Sequence, residues 1–218
     1  MISSLDFGLM LVTDGRLAGG RPLEDVVEAA VRGGVTAVQL REKDCPTREF
    51  LEIARRLLSR LDRAGIPLII NDRVDIALAA GAAGVHLGQD DLPVLDARRL
   101  LGPGAIIGLS VETPEQAATA DALDVSYLGV SPVFATLTKT GAKSPWGLDG
   151  LRRLRALSRR TLVAIGGINA SNAADVLASG ADGLAVVSAV CAAPDPEAAA
   201  RRLRDIVDRD RSAAGKAR

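Results

Sequence analysis

Short apolar runs alternate along the chain with segments whose apolar residues have helical spacing. The runs that we expect to be strands are Leu9–Thr13, Ala37–Arg41, Leu68–Asn71, Gly84–Leu87, Ile106–Leu109, Ser126–Val130, Thr161–Ile165 and Gly183–Val187. The segments that we expect to be helices are Leu23–Arg32, Thr47–Ala64, Val74–Ala80, Pro93–Leu101, Pro114–Asp121, Leu148–Leu157, Asn172–Ser179 and Pro194–Asp208. Eight such alternations predict an α/β fold of the (β/α)8 TIM barrel type.

The pattern contains no sign of a domain boundary. At 218 residues the chain is somewhat shorter than the roughly 250 residues typical of this barrel, which predicts a compact version with few insertions. We expect a single barrel domain over residues 1–211 and a disordered tail over residues 212–218. The long connection from Ser131 to Gly147 is typical of a lid or binding loop.

Several of the apolar runs end in polar residues or glycines suited to phosphate chemistry. These endings are Gln39–Lys43, Asn71–Asp72, Gly88–Asp91, Ser110, Thr136–Lys139, Gly166–Gly167 and Val187–Ser188. In a parallel barrel the C-terminal ends of all strands meet around one mouth. The endings are therefore expected to form one pocket.

Composition narrows the class of protein. Only 2% of the residues are aromatic, so a core of Val, Ile, Leu and Ala is expected, as in buried parallel strands. The 27 basic and 27 acidic residues cancel, which argues against a nucleic-acid partner. No apolar run reaches the roughly 20 residues of a membrane span. We expect a cytoplasmic protein that binds neither nucleic acid nor membrane, with Cys45 and Cys191 as free thiols.

Gln39, Arg41 and Lys43 share the same parity along the second run. If the chain stays extended through Lys43, all three side chains point to one side. Two cations and an amide donor in a barrel mouth would suit a diphosphate. The alternative is a salt-bridged strand end involving Glu42 and Asp44, and spacing alone does not separate the two.

Carboxylates end two neighbouring runs. Asp72 closes the third run and Asp91 follows the fourth. Mg²⁺ prefers oxygen ligands and is usually held by one or two carboxylates together with substrate phosphate oxygens. The alternative is that Asp72 and Asp91 cap the helices that follow them.

The seventh and eighth runs end where barrels often bind phosphate through backbone N–H groups. Gly166 and Gly167 follow one run and Ser188 follows the other, although plain turn glycines would give the same pattern. His86 is the only histidine, which excludes a multi-histidine metal site. We expect His86 to be a structural, hydrogen-bonded residue, the alternative being the base of a serine-histidine-aspartate triad.

Five separated motifs resemble those of the thiamine phosphate synthase family, in the same order and spacing. They are Gln39–Asp44, Asn71–Asp75, Gly84–Leu92, Pro132–Lys139 and Ala164–Ile168. The resemblance extends from about Leu9 to Val190, nearly the whole chain. It implies an enzyme that joins 4-amino-2-methyl-5-pyrimidinylmethyl diphosphate to a thiazole phosphate, giving thiamine phosphate and diphosphate.

The resemblance also implies a role for individual residues. The pyrimidine diphosphate would be contacted by Gln39, Arg41, Lys43, Asn71, Ser110 and Lys139, with Leu40, Glu42 and Leu137 of the same motifs included among the substrate-binding residues. Asp72 and Asp91 would hold Mg²⁺. The thiazole phosphate would be bound by Thr136, Thr138, Gly167, Val187 and Ser188. The diphosphate would leave first, and Arg41, Lys43 and Lys139 would be catalytic because they stabilise the growing negative charge.

One position departs from the family pattern. Glu112 stands where many relatives, and the similar thiazole tautomerases, carry a histidine. Its presence argues against the alternative of a thiazole tautomerase, and a non-enzymatic sensor of a phosphate ligand is the other alternative. The sequence leaves open whether the thiazole carries a carboxylate and whether the chain is a homo-oligomer.

Overall fold

The computed structural model describes residues 5–136, 144–213 and 215, and its strands form one closed parallel barrel. In chain order the strands are Leu9–Val12 (β1), Ala37–Leu40 (β2), Leu68–Asn71 (β3), Gly84–Leu87 (β4), Ile106–Val111 (β5), Tyr127–Val130 (β6), Leu162–Ile165 (β7) and Gly183–Val186 (β8). Each strand pairs with its neighbours in sequence, and β8 closes the barrel by pairing with β1. The predicted TIM barrel is confirmed.

Helices follow the strands along the chain. They are Leu23–Arg32 (α1), Thr47–Leu61 (α2), Val74–Ala80 (α3), Val94–Leu101 (α4), Pro114–Ala120 (α5), Gly147–Leu157 (α6), Ala173–Ala178 (α7), Ser188–Cys191 (α8) and Pro196–Ala213 (α9). The short α8 was not predicted from the sequence. The helix α9 continues through Ser212 and Ala213, past residue 211.

Glycines begin two of the strands because the neighbouring backbone comes very close. A Cβ atom added at Gly84 would lie 1.8 Å from the carbonyl oxygen of Ile106, and one added at Gly183 would lie 1.9 Å from that of Phe7. Real Cβ atoms do not approach backbone atoms so closely. Gly84 therefore permits the close contact of β4 with β5, and Gly183 permits the contact of β8 with the chain before β1, where the barrel closes.

The core has two layers because successive residues of a strand point to opposite faces. The outer layer lies between strands and helices and includes Leu9, Leu11 and Leu40, all fully buried. The inner layer fills the barrel lumen with Phe7, Met10, Val12, Ala37, Ile69, Ile106, Tyr127, Val163 and Ala185. The lumen is thus a packed core, which leaves the strand ends at the mouth as the place for chemistry.

No helix in the described part of the chain combines the length and the apolar character needed to cross a bilayer.

The two ends of the described chain are joined by ion pairs. Asp6, just before β1, accepts a hydrogen bond from Arg211 at 2.8 Å and another from Arg204 at 3.2 Å, both on α9. The Gly8 N–H also donates to Asp6, at 2.8 Å. Burial alone would raise the pKa of Asp6, but these hydrogen bonds more than offset it and lower the pKa to about 2.

We expect Asp6→Asn to lower the free energy of unfolding by about 1–2 kcal/mol at neutral pH. Because the folded pKa of Asp6 lies below its ordinary value of 3.8, the parent has this stabilisation above about pH 4 and loses it as the pH falls towards 2. The difference between parent and variant should therefore shrink over that window. Urea unfolding of both proteins at several pH values measures it.

Asp208→Asn is the matched control for this change. Asp208 also pairs with Arg204, but it is half exposed and lies on α9 itself. An exposed pair of this kind contributes little, so the control should lose less than about 0.5 kcal/mol. Equal losses in both variants would contradict the assignment of Asp6 as the link between the chain ends.

Candidate active site

One cavity of about 340 Å³ opens at the C-terminal mouth of the barrel. The residues expected at the site that line it are Gln39, Arg41, Lys43, Asn71, Asp72, Asp91, Ser110, Thr136, Gly167, Val187 and Ser188. They come from seven different strand ends, which the closed barrel brings together. Leu137, Thr138 and Lys139, also expected at the site, lie outside the described residues.

Leu40 and Glu42 were expected to bind substrate, but their side chains do not line this cavity. Leu40 is fully buried in the outer core layer between strands and helices. Glu42 accepts a hydrogen bond from the Gly15 N–H at 3.2 Å and lies 3.5 Å from the Thr13 hydroxyl. Both belong to the opposite parity from Gln39, Arg41 and Lys43, so strand alternation turns them away from the mouth.

Gln39, Arg41 and Lys43 form the cationic side of the cavity, because strand alternation directs all three side chains towards the mouth. Gln39 is the innermost of the three and is almost fully buried, whereas Lys43 is exposed at the rim. The Arg41 N–H donates to the Thr13 hydroxyl at 2.9 Å, which fixes the backbone beyond the end of β2. Ion pairs do form at this strand end, although not between neighbouring residues: Lys43 lies 3.3 Å from Asp72, and Asp44 lies 3.8 Å from Arg16.

An acidic pair faces these cations. Asp72 has a φ of 64°, a left-handed conformation that is uncommon outside glycine, and its N–H donates to the His86 carbonyl at 2.8 Å. Asp91 accepts a hydrogen bond from the Gly88 N–H at 2.6 Å. Burial and then the neighbouring Asp91 carboxylate raise the pKa of Asp72, and the ammonium of Lys43, 3.3 Å away, acts in the opposite direction.

The alternative in which Asp72 and Asp91 cap helices is wrong. The residues that precede α3 and α4 are Arg73 and Pro93, and neither makes a side-chain capping hydrogen bond. The two carboxylates therefore lie at the mouth for another reason. In the described part of the chain no cluster of three or more His, Cys, Asp or Glu side chains could hold a metal ion, so further ligands would have to come from water or substrate.

The far side of the cavity is lined by backbone and small polar groups. Gly166 and Gly167 have φ values of 106° and 67°, and a Cβ on either would come within 2.9 Å of Pro132 or Phe134. Both positions thus require glycine for conformation and for space. Val187 and Ser188 line the same side where α8 begins.

Sequence reasoning missed part of the cavity floor. His86, expected to be structural, is hydrogen-bonded and nearly buried as predicted, and it also lines the cavity. Tyr127 lines it as well, although it was read only as part of β6. Strand alternation could have predicted this, because His86 in β4 and Tyr127 in β6 are at positions whose side chains face the lumen.

Glu112, which departs from the family pattern, also lines the cavity. Its N–H donates to the side-chain oxygen of Gln116 at 2.7 Å, and the Gln116 N–H donates to the Thr113 hydroxyl at 3.3 Å. These two bonds fix the start of α5. Glu112 therefore adds a carboxylate to the rim at a position held rigidly by its own helix start.

Comparison with known proteins gives a consistent result. Residues 9–190 match the family model described as thiamine monophosphate synthase. The chain is 62% identical over 200 residues to the thiamine-phosphate synthase of Albidiferax ferrireducens, covering 92% of this chain and 91% of that protein. It is 54% identical over 203 residues to that of Chloroflexus aurantiacus, covering 93% and 94%.

A solved structure agrees with these relatives. The thiamine phosphate pyrophosphorylase from Pyrococcus furiosus superposes with a TM-score of 0.86 at 41% identity, covering 94% of this chain and 96% of that one. The similarity therefore extends over most of the chain.

We expect Glu42→Ala to lower the free energy of unfolding by about 1–2 kcal/mol, because the Gly15 N–H loses its acceptor. Glu42→Gln keeps a side-chain oxygen there and should lose less. Burial, and to a smaller extent Asp14, raise the pKa of Glu42 above its ordinary value of 4.5. Because the pKa of Glu42 is raised in the folded state, its ionisation lowers the free energy of unfolding of the parent. The free energy of unfolding of Glu42→Gln should therefore rise relative to that of the parent as the pH increases from about 4 to 7.

Urea unfolding of the two variants and the parent measures both effects. Glu52→Ala is the control, since Glu52 is exposed on α2 and its loss should change stability by less than about 0.5 kcal/mol. A Glu42→Ala protein as stable as this control would show that the carboxylate does not hold the β1 and β2 ends together.

Proposed function

The chain belongs to the thiamine monophosphate synthase family, and from this premise we propose that it joins 4-amino-2-methyl-5-pyrimidinylmethyl diphosphate to a thiazole phosphate, giving thiamine phosphate and diphosphate. The observation that supports this most directly is the division of one cavity into a cationic side, an acidic pair and a side lined by glycine and serine. A reaction with one diphosphate and one monophosphate substrate requires two separate anion sites. In our proposal the cationic side and the side lined by glycine and serine are these two sites.

We propose that Arg41 and Lys43 hold the pyrimidine diphosphate, together with Gln39, Asn71 and Ser110. A guanidinium binds phosphate oxygens in a bidentate manner, and an ammonium at the rim follows as a mobile point charge. Lys139 is proposed for the same group on the family resemblance alone. The cations of this set are catalytic in the proposal because negative charge on the diphosphate grows as it leaves, so they stabilise the transition state more than the bound substrate.

We propose that Asp72 and Asp91 bind Mg²⁺. The pair fits a divalent cation, because burial and the neighbouring Asp91 raise the pKa of Asp72 and the opposing charge of Lys43 does not cancel that shift. Two carboxylates and a diphosphate are the ligands that Mg²⁺ usually takes in such sites. When bound, Mg²⁺ would neutralise charge on the diphosphate and make it a better leaving group.

We propose that Gly167, Val187 and Ser188 surround the phosphate of the thiazole substrate, with Thr136 and Thr138 beside its ring. Backbone N–H groups and a hydroxyl bind phosphate without a counter-charge, which leaves the nearby cations for the diphosphate. The glycine positions also allow the backbone to approach the ligand closely.

The proposed chemistry needs no protein nucleophile. The bond between the pyrimidine methylene carbon and the diphosphate oxygen breaks, the electron pair leaves with the diphosphate, and the thiazole nitrogen donates its lone pair to the resulting cation. The chain's own task is to hold both substrates in line and to keep water from the cation. Leu40 and Glu42 contribute to this site through the backbone of the 39–43 segment rather than through their side chains.

The enzyme acts on small molecules in this proposal, and we propose a cytoplasmic location. The balanced net charge gives no field that would attract nucleic acid or an anionic lipid surface.

Purified protein supplied with both substrates and Mg²⁺ should form thiamine phosphate and diphosphate in equal amounts. A chelator in excess should abolish the reaction, and added Mg²⁺ should restore it. A thiazole tautomerase would convert its thiazole without consuming the pyrimidine diphosphate, and a sensor would bind without turnover. Either result would refute the proposal.

Asp72→Asn and Asp91→Asn should each lower turnover by on the order of 10²-fold, as expected for losing one charged group that stabilises the leaving group. Asp75→Asn is the matched control, because Asp75 lies on α3 close to Asp72 in sequence but is exposed and paired with Arg73. Steady-state kinetics at saturating Mg²⁺ decide the matter. Full activity in both site variants would remove the metal assignment.

We expect the two anion sites to be separable by mutation. Ser188→Asp should mainly raise the KM for the thiazole phosphate through like-charge repulsion, whereas Arg41→Ala should mainly slow departure of the diphosphate. Initial rates with each substrate varied in turn measure the difference. If both changes affected both substrates equally, the division into two sites would be wrong.

A further inference from the structure

A chain of polar side chains crosses the barrel lumen at the floor of the cavity. The Tyr127 hydroxyl lies 2.9 Å from Nδ1 of His86, and Nε2 of His86 lies 2.8 Å from Oγ of Ser110. Tyr127 is 1% exposed and His86 is 8% exposed, so both are largely shielded from water. Ser110 is less buried and lines the cavity, as the outermost member of the chain.

Two glycines make room for this chain. A Cβ atom at Gly108 would lie 2.2 Å from Cζ of Tyr127 and 2.6 Å from Nδ1 of His86, and one at Gly129 would lie 2.8 Å from Cε1 of His86. Gly108 pairs with both His86 and Tyr127, and Gly129 pairs with Ser110, two residues further along β5. The lumen at this level is therefore shaped around the imidazole and phenol rings.

The direction of the hydrogen bonds follows from the acceptors that Tyr127 can reach. Burial raises the pKa of Tyr127 far above its ordinary value, and the Gln39 amide only partly offsets this, so the phenol keeps its proton. Its two candidate acceptors in the described contacts are Nδ1 of His86 at 2.9 Å and the Met10 sulfur at 3.9 Å. The nitrogen is closer and a stronger acceptor.

A neutral imidazole that accepts at Nδ1 carries its proton on Nε2. That N–H then donates to Oγ of Ser110, at 2.8 Å. With one lone pair of Ser110 occupied in this way, its own O–H proton is left to donate towards the cavity. The Tyr127 hydroxyl thus determines, through the His86 imidazole, that Ser110 acts as a hydrogen-bond donor towards a ligand.

We propose that His86 is a positioning residue, which with Tyr127 fixes the Ser110 hydroxyl as a hydrogen-bond donor to an acceptor atom of the pyrimidine substrate. The assignment of the ligand rests on the proposed function, whereas the tautomer and the direction of the bonds do not. The two parts can therefore be tested separately.

The tautomer can be read directly, because His86 is the only histidine in the chain. In untagged protein labelled with ¹⁵N at histidine alone, NMR at neutral pH should show a protonated Nε2 and an unprotonated Nδ1. Tyr127→Phe removes the donor to Nδ1 and should move the signals away from this single tautomer. A protonated Nδ1 in the parent, or an unchanged spectrum in Tyr127→Phe, would overturn the proposal whatever the enzyme's activity.

Kinetics test the effect on the substrate. His86→Asn lacks a donor that reaches Ser110 and should raise the KM for the pyrimidine diphosphate about 10-fold, the size expected for one lost hydrogen bond, while the KM for the thiazole phosphate stays unchanged. His86→Gln places an amide N–H closer to the position of Nε2 and should recover part of the loss. A lower kcat with both KM values unchanged would indicate a merely structural role and overturn the proposal.

A double-mutant cycle shows whether His86 acts through Ser110. In a Ser110→Ala background, His86→Asn should change the KM for the pyrimidine diphosphate by less than about twofold, because the group it orients is already absent. Full additivity would overturn the proposal. Ser179→Ala is the control for a lost buried hydroxyl, since Ser179 donates to the Asp175 carbonyl outside the cavity and its loss should leave both KM values unchanged.

Discussion

Barrel closure is the constraint on which the rest of the structure depends. Because β8 pairs with β1 in parallel, all eight strands end at one rim, and residues as distant in sequence as Gln39 and Ser188 line one cavity. Glycine allows the backbones to come very close at Gly84, where β4 meets β5, and at Gly183, where β8 meets the segment before β1. The glycines at these strand contacts therefore contribute to a cavity whose lining comes from most of the strands.

Backbone geometry, and not only the attraction between opposite charges, holds the carboxylates of Asp72 and Asp91 near the cations at the rim. Asp72 adopts a left-handed conformation that an aspartate tolerates at some cost, and the hydrogen bond that its N–H donates to the His86 carbonyl helps to hold it there. Its carboxylate then lies beside that of Asp91, and the nearby Lys43 ammonium offsets the cost of this arrangement only in part. Strain and like-charge repulsion at one position are typical of a site kept for binding rather than for stability.

The sequence predicted what depends on periodicity. Strand alternation predicts that Gln39, Arg41 and Lys43 lie on one side of the strand. The same alternation explains why Leu40 and Glu42 face away, whereas the resemblance implies a substrate contact for every residue of this motif except Asp44. The contact of Glu42 with Gly15 joins two loops and leaves no periodic trace. The positive φ of Asp72 could not be predicted either, because among residue types glycine is the one that most clearly indicates this conformation in a sequence. The helix that begins at Ser188 is too short to show a helical period.

The link between Asp6 and the last helix has a consequence for how the molecule forms. Asp6 is separated in sequence from Arg204 by 198 residues and from Arg211 by 205, and the pairing of β1 with β8 also joins distant parts of the chain. Contacts between such distant residues carry the largest loop-closure cost and form late. Until β8 has formed, the edge of β1 that it covers is therefore unpaired and open to pairing with strands of other chains.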